Sequence, residues 1–161
     1  MMWGALAALM LALVGLLLLA PLLRAAGWLA AAQAVYFGFQ AVCHQLPERS
    51  FHVAGFPLAV CARCFGLYAG GAAGVLLYPL ARAVTRRDAP ARGWLFAAAA
   101  PLALDFSLGF LGVWDNTHLS RSLTGALLGA AAVFYVLPGL VDLAQMDRRQ
   151  FFGDLLSAKG R

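Results

Sequence analysis

Five stretches of the chain run for about twenty residues with almost no charge: residues 1–23, 25–47, 64–81, 93–114 and 122–141. A helix that crosses ~30 Å of hydrocarbon needs ~20 apolar residues, because each residue advances it by only ~1.5 Å. His44, when neutral, keeps the second run uncharged, and Asp105 is the single charge inside the fourth. In lipid, backbone polar groups must bond within helices or closed barrels, and the alternation expected of barrel strands is absent. The sequence therefore predicts an all-α integral membrane protein, one domain over residues 1–161. The predicted bundle has about five transmembrane helices, near 3–23, 26–43, 62–81, 93–112 and 120–141, with a tail over 142–161.

Composition excludes the alternatives. Hydrophobic residues make up 63% of the chain and charged residues 12%, against ~45–50% and ~25% in an ordinary soluble domain. Mean hydropathy is +0.79. A chain this short buries only about two-thirds of its surface on folding and cannot hide so much apolar area from water. A disordered chain and a nucleic-acid reader are excluded with the soluble globule. The first run could be mistaken for a secretory leader. It lacks a basic start and is followed by Leu22-Leu23-Arg24 rather than a small-x-small site, so a retained helix is expected.

The formal charge of +5 reports topology rather than a polyanionic partner, because Lys and Arg concentrate on the cytoplasmic side of membrane proteins. An N-terminus outside and a C-terminus in the cytoplasm would put Arg24, Arg82, Arg86, Arg87, Arg92, Arg148, Arg149, Lys159 and Arg161 inside. Arg49, Arg63 and Arg121 alone would lie near the outer face. A multi-pass protein of the cell (plasma or inner) membrane is expected, with its polar residues on the extracytoplasmic face. Those residues include all three cysteines and all three histidines. The stretch 142–156 mixes apolar and basic residues and can lie on the inner leaflet as an amphipathic helix.

Gly66, Gly70 and Gly74 repeat every four residues, as do Gly125 and Gly129. Small residues at this spacing let transmembrane backbones approach closely, so they predict helix packing. Trp3, Trp28, Trp94 and Trp114 fall near span ends, where indole rings anchor at the interface.

The chemistry-bearing residues are Cys43-His44 and, after a gap, Cys61-Ala62-Arg63-Cys64. The Cys-x-x-Cys spacing puts two sulfurs on one side of a turn, which suits a shared metal or a disulfide. Cys43 and His44 would complete a tetrahedral set with Cys61 and Cys64, with zinc the expected ion. If adjacent residues cannot both ligate, His52 or His118 can take the fourth position. His52 and His118 otherwise read as polar residues near the surface, His118 in a loop. Asp105 is costly inside a span, at least ~2.5–3.5 kcal/mol, so it needs a partner. Arg121 and Arg63 are the candidates, and these three residues are also the candidate catalytic groups. Arg49, Arg63 and Arg121 can offset thiolate charge or grip a phosphate or carboxylate.

The blocks Cys43-His44-Gln45-Leu46-Pro47-Glu48-Arg49-Ser50-Phe51, Gly55-Phe56-Pro57-Leu58 and Cys61-Ala62-Arg63-Cys64-Phe65-Gly66-Leu67-Tyr68, with Asp105, Arg121 and Gly125, carry a resemblance. They resemble the signature of a prokaryotic predicted-membrane-protein family of unknown function. The resemblance implies a membrane domain with a shared polar site and supplies no established reaction.

Three readings follow. The first is a Cys/His metal site, structural or supporting hydrolytic or transfer chemistry on an outer-leaflet or exported substrate. The second is a membrane thiol–disulfide oxidoreductase in which the Cys-x-x-Cys pair exchanges electrons with a quinone. The third is a metal- or lipid-headgroup-binding protein. The metal site is preferred, because three cysteines suit a metal better than a relay that needs two pairs. The lipid bilayer is the one partner the sequence implies outright.

Overall fold

A computed structural model describes residues 2–159, with side chains described for residues 2–146. Five helices form: α1 (Met2–Ala25), α2 (Leu29–Gln40), α3 (Ala62–Ala81), α4 (Arg92–Phe110) and α5 (His118–Lys159). Between α2 and α3 lie a single 3₁₀ turn (Pro47–Arg49) and a hairpin of β1 (His52–Val53) and β2 (Phe56–Pro57). Ala54 and Gly55 form the hairpin's tip with φ of 51° and 83°. Positive φ at both central residues is what a two-residue turn matching strand twist requires.

Helices α1, α3, α4 and the 118–146 part of α5 are long and apolar enough to cross a membrane. Leu80, Phe110, Trp94 and Phe96 are each more than 70% exposed, a surface that a bilayer covers. The second helix is shorter than its expected limits of 26–43. Its 12 residues span about 18 Å at ~1.5 Å per residue, well short of the hydrocarbon thickness. It turns back from the end of α1 and places Phe39 beside Leu17 and Ala20, about two turns below that end.

Contacts of the longer helices define the two ends of the bundle. The Trp3 indole N–H donates to the Val75 carbonyl at 2.7 Å, and Leu6 and Ala7 pack against Val75 and Tyr78. Met2 and Trp3 line one recess with Val84, Thr85, Val141 and Ala144. The start of α1, the 82–91 loop and the 141–145 part of α5 therefore share one end of the bundle. The expected N-terminus outside and C-terminus in the cytoplasm would need α2 to cross as well. α2 falls short of the length that α1, α3, α4 and α5 reach. The Arg24 guanidinium sits 5.0 Å from the Phe56 ring, at the cysteine end rather than with the 82–91 arginines. The amphipathic reading of 142–156 rests mostly on side chains outside the described residues.

Glycine sets the α3–α5 contact that carries the site. A Cβ on Gly66, Gly70 or Gly74 would fall on the backbone of Ser122, Ala126 or Ala130. One on Gly125 or Gly129 would fall on the carbonyls of Arg63 or Leu67. This is the close backbone approach that small residues permit in membranes. It puts the first turn of α3, with Arg63 and Cys64, beside the first turn of α5, with Arg121. By contrast α4 buries only Ala98. Polar links hold it at both ends. The Tyr135 hydroxyl donates to the Ala91 carbonyl at 2.9 Å, and Asp105 pairs with Arg63.

Candidate metal centre and arginine-lined cavity

Three cysteines from two elements converge. Cys43 lies just past α2, where its N–H still donates to Phe39 O at 3.0 Å. Cys61 is the residue that precedes α3, and Cys64 is one turn inside it. The three Sγ atoms lie within 4.8 Å of one another. Zinc–sulfur bonds of ~2.3 Å in a tetrahedron separate sulfurs by roughly 3.8 Å, so small side-chain rotations close this set on one ion. All three are free thiols.

Backbone N–H groups hold the sulfur of the buried member in place. Cys43 Sγ accepts from the N–H of Cys61 at 3.2 Å and of Gln45 at 3.5 Å. The second bond needs Gln45 in the left-handed region, φ 51°, which costs a side-chain-bearing residue strain. Its side chain offsets that cost. Gln45 Nε2 donates to the carbonyls of Tyr36 at 2.6 Å and Ala59 at 2.8 Å, tying the end of α2 to the approach to α3. Pro47 holds Leu46 extended, so α2 cannot resume. Ser50, fully buried, donates to Leu46 O at 2.9 Å and closes the loop. Hydrogen bonds from Cys43 first, then from Cys64, hold the Cys61 thiol below its ordinary pKa.

Of the expected ligands, His44 lines the same cavity as the cysteines. It is exposed and lies outside the mutually close sulfur set. His52 is exposed on the hairpin. His118 is the first residue of α5 rather than a loop residue. Its Nε2–H donates to Glu48 O at 3.1 Å, and its ring packs 5.5 Å from that of Phe51.

Asp105 finds Arg63. The two form a salt bridge of 2.6 Å, and the Asp105 side chain is only 8% exposed, so the pair offsets a burial that would be costly alone. The Arg63 guanidinium also lies 5.5 Å from the Phe106 ring, and Asn116 Nδ2 donates to the Asp105 carbonyl. Arg121 lies next to this pair, not on Asp105. A cavity of about 330 Å³ opens beside the sulfurs, lined by Cys43, His44, Cys61, Cys64, Arg49, Arg63 and Arg121.

Sequence reasoning missed the roles of Gln45 and Asn116. The only available signal was an amide placed immediately after Cys43-His44, since both roles depend on backbone carbonyls brought in by the fold.

Fold and site together define a polytopic helical membrane protein with a three-cysteine cluster at one end of its bundle. The chain belongs to the family described as "Predicted membrane protein (DUF2085)", whose profile matches residues 43–135. The matched segment starts on Cys43 and contains every cavity-lining cysteine and arginine together with Asp105. The chain is also similar to the "Uncharacterized protein MJ1492" of Methanocaldococcus jannaschii, with 36% identity over 104 residues, covering 65% of this chain and 67% of that protein. No solved structure matches the chain.

Proposed function

We infer that Cys43, Cys61 and Cys64 bind one metal ion, zinc by the chemistry of the donor set, and that the ion faces the arginine-lined cavity. The observation that carries this reading is the convergence of three sulfurs within 4.8 Å without a disulfide. N–H bonds to Cys43 Sγ support it, because hydrogen bonds of this kind orient the side chains that ligate a metal. Three sulfur ligands leave a fourth tetrahedral position. His44, by a turn of its exposed side chain, can fill it and make the site structural. Left to water, the ion would lower that water's pKa toward ~7 and support hydrolytic or transfer chemistry. In that case Arg63 and Arg121 orient an anionic substrate, and Asp105 acts as the positioning partner of Arg63.

The distribution of charge supports an extracytoplasmic site. Eight of the twelve basic residues belong to the 82–92 stretch, at the end away from the cysteines, or to residues 148–161. Arg24, Arg49, Arg63 and Arg121 are at the cysteine end. The positive-inside rule then makes the cysteine end external and the substrate an outer-leaflet or exported molecule.

The same thiols are the basis of a competing thiol–disulfide reading, favoured by the Cys61–Cys64 pair at the start of α3. Metal analysis and thiol counting on the protein purified in detergent separate the two. About one equivalent of metal per chain is expected, lost in Cys61→Ser, with the thiols blocked from alkylation until a chelator is added. Full alkylation of all three thiols in folded, as-purified protein overturns the metal reading. A Cys61–Cys64 disulfide that a quinone regenerates establishes the redox one.

A further inference from the structure

We propose that the cavity beside the cysteines is a binding site for a tetrahedral oxyanion, a phosphate group, held by Arg49, Arg63 and Arg121. The proposal rests on the arginines and stands whether or not a metal is bound.

Charge is the first argument. Three guanidinium groups line the cavity, and among the described lining residues none is acidic. One carboxylate, Asp105, pairs with Arg63 from behind. The local balance is two positive charges, and three thiolates around a divalent ion would still leave one. Arg63 and Arg121 are half-buried and Arg49 is exposed, and a surplus of like charge around one cavity draws an anion to it.

Hydrogen bonding is the second. The Nε atoms of Arg63 and Arg121 are both buried and have no partner among the described residues. Arg63 commits its Nη2 to Asp105, and its Nε–H is left without an acceptor. Buried N–H groups are nearly always satisfied, so two orphans on adjacent guanidiniums mark the place of an acceptor with several oxygens.

Geometry selects the acceptor. Arg49 comes from the 3₁₀ turn, Arg63 from α3 and Arg121 from α5. Donors arriving from three separate elements suit an anion with oxygens in several directions better than a planar carboxylate, which one fork satisfies. A recess of about 90 Å³, lined by all three arginines with Phe106 and Asn116, adjoins the larger cavity. Since a water needs only ~10–15 Å³, the recess admits a group of phosphate size. The main cavity then has room for whatever the phosphate is attached to. A phospholipid headgroup and a free phosphate share this chemistry.

The test uses full-length, metal-loaded protein in phosphatidylcholine nanodiscs. Inorganic phosphate is titrated by ³¹P NMR, and a parallel set of nanodiscs carries phosphatidic acid. Saturable phosphate binding is expected, weakened tenfold or more in Arg121→Gln and in Arg49→Gln. Arg49 sits on an exposed turn, so its variant tests the site even if Arg121→Gln fails to fold. Loss of phosphate binding in the phosphatidic acid discs assigns the site to a lipid headgroup, and its persistence there assigns it to a soluble phosphate. Cys61→Ser should keep phosphate binding while losing metal. Binding that disappears with the metal, equal binding by wild type and Arg49→Gln, tighter binding of acetate than phosphate, or no saturable binding of either phosphate source each overturns the proposal.

Discussion

Gln45 shows how much of the site depends on one amide. Its Nε2 bridges carbonyls nine and fourteen residues away, and its own N–H reaches Cys43 Sγ. Gln45→Ala removes both side-chain bonds and leaves two carbonyls short of a partner. The expected cost is about 1–3 kcal/mol of stability, the typical range for stranded buried groups. A lower melting temperature and faster loss of metal to a chelator should accompany it, while Gln33→Ala, at an exposed position, changes neither. Unchanged metal retention in Gln45→Ala would remove the amide from the support of Cys43. The cysteines themselves were legible, because Cys-x-x-Cys spacing is fixed by one turn of helix and needs no tertiary information. So was the need for a partner to Asp105, since an intramembrane carboxylate demands one. Choosing Arg63 over Arg121 required the register between α4 and α3, which spacing along the chain does not contain.

At the scale of elements, the glycine repeats gave the strongest forecast of packing. Gly70 of α3 faces the backbone of Ala126, so any side chain there must separate α3 from α5. Gly70→Leu is expected to split Arg63 and Cys64 from Arg121, lowering both the yield of folded protein and the phosphate affinity. Gly15→Ala in α1, with nothing near its missing Cβ, should be neutral or more stable by ~0.5–1 kcal/mol, the helix-interior difference between the residues. A size-exclusion profile and a thermal melt on both variants check the contrast, and a normal Gly70→Leu protein would contradict the close contact. The same reasoning from sequence overestimated α2. Residues 25–47 are free of charge, and absence of charge is the only span signal they give. The helix ends at Gln40 because the following segment commits its backbone to the Cys43–Gln45 turn and to an extended residue before Pro47. Apolar length sets a limit on a span without setting its end.

For the whole molecule, we propose that the short second helix decides how the chain is threaded through the bilayer. With α2 turning back after about 18 Å, only α1, α3, α4 and α5 are long enough to cross. An even number of crossings would return the chain to the side on which it began, and the recess that Met2 and Trp3 share with Val84 agrees. A reporter fused after residue 88 is expected to read as cytoplasmic, because residues 82–92 and 148–161 carry eight basic residues. A reporter ahead of residue 1 should read on the same side as residue 88. One inserted at the hairpin tip between Ala54 and Gly55, or near residue 116, should read as external. The two comparisons test different physics. If 88 reads external and 116 cytoplasmic, the bundle is intact but inverted, and the metal and phosphate sites face the reducing compartment, where free thiols persist without a metal. If residue 1 and residue 88 fall on opposite sides, α2 crosses after all. The hydrogen bond from Trp3 to Val75 would then be impossible, and the packing of α1 along α3 that supports Cys43 would have to be abandoned.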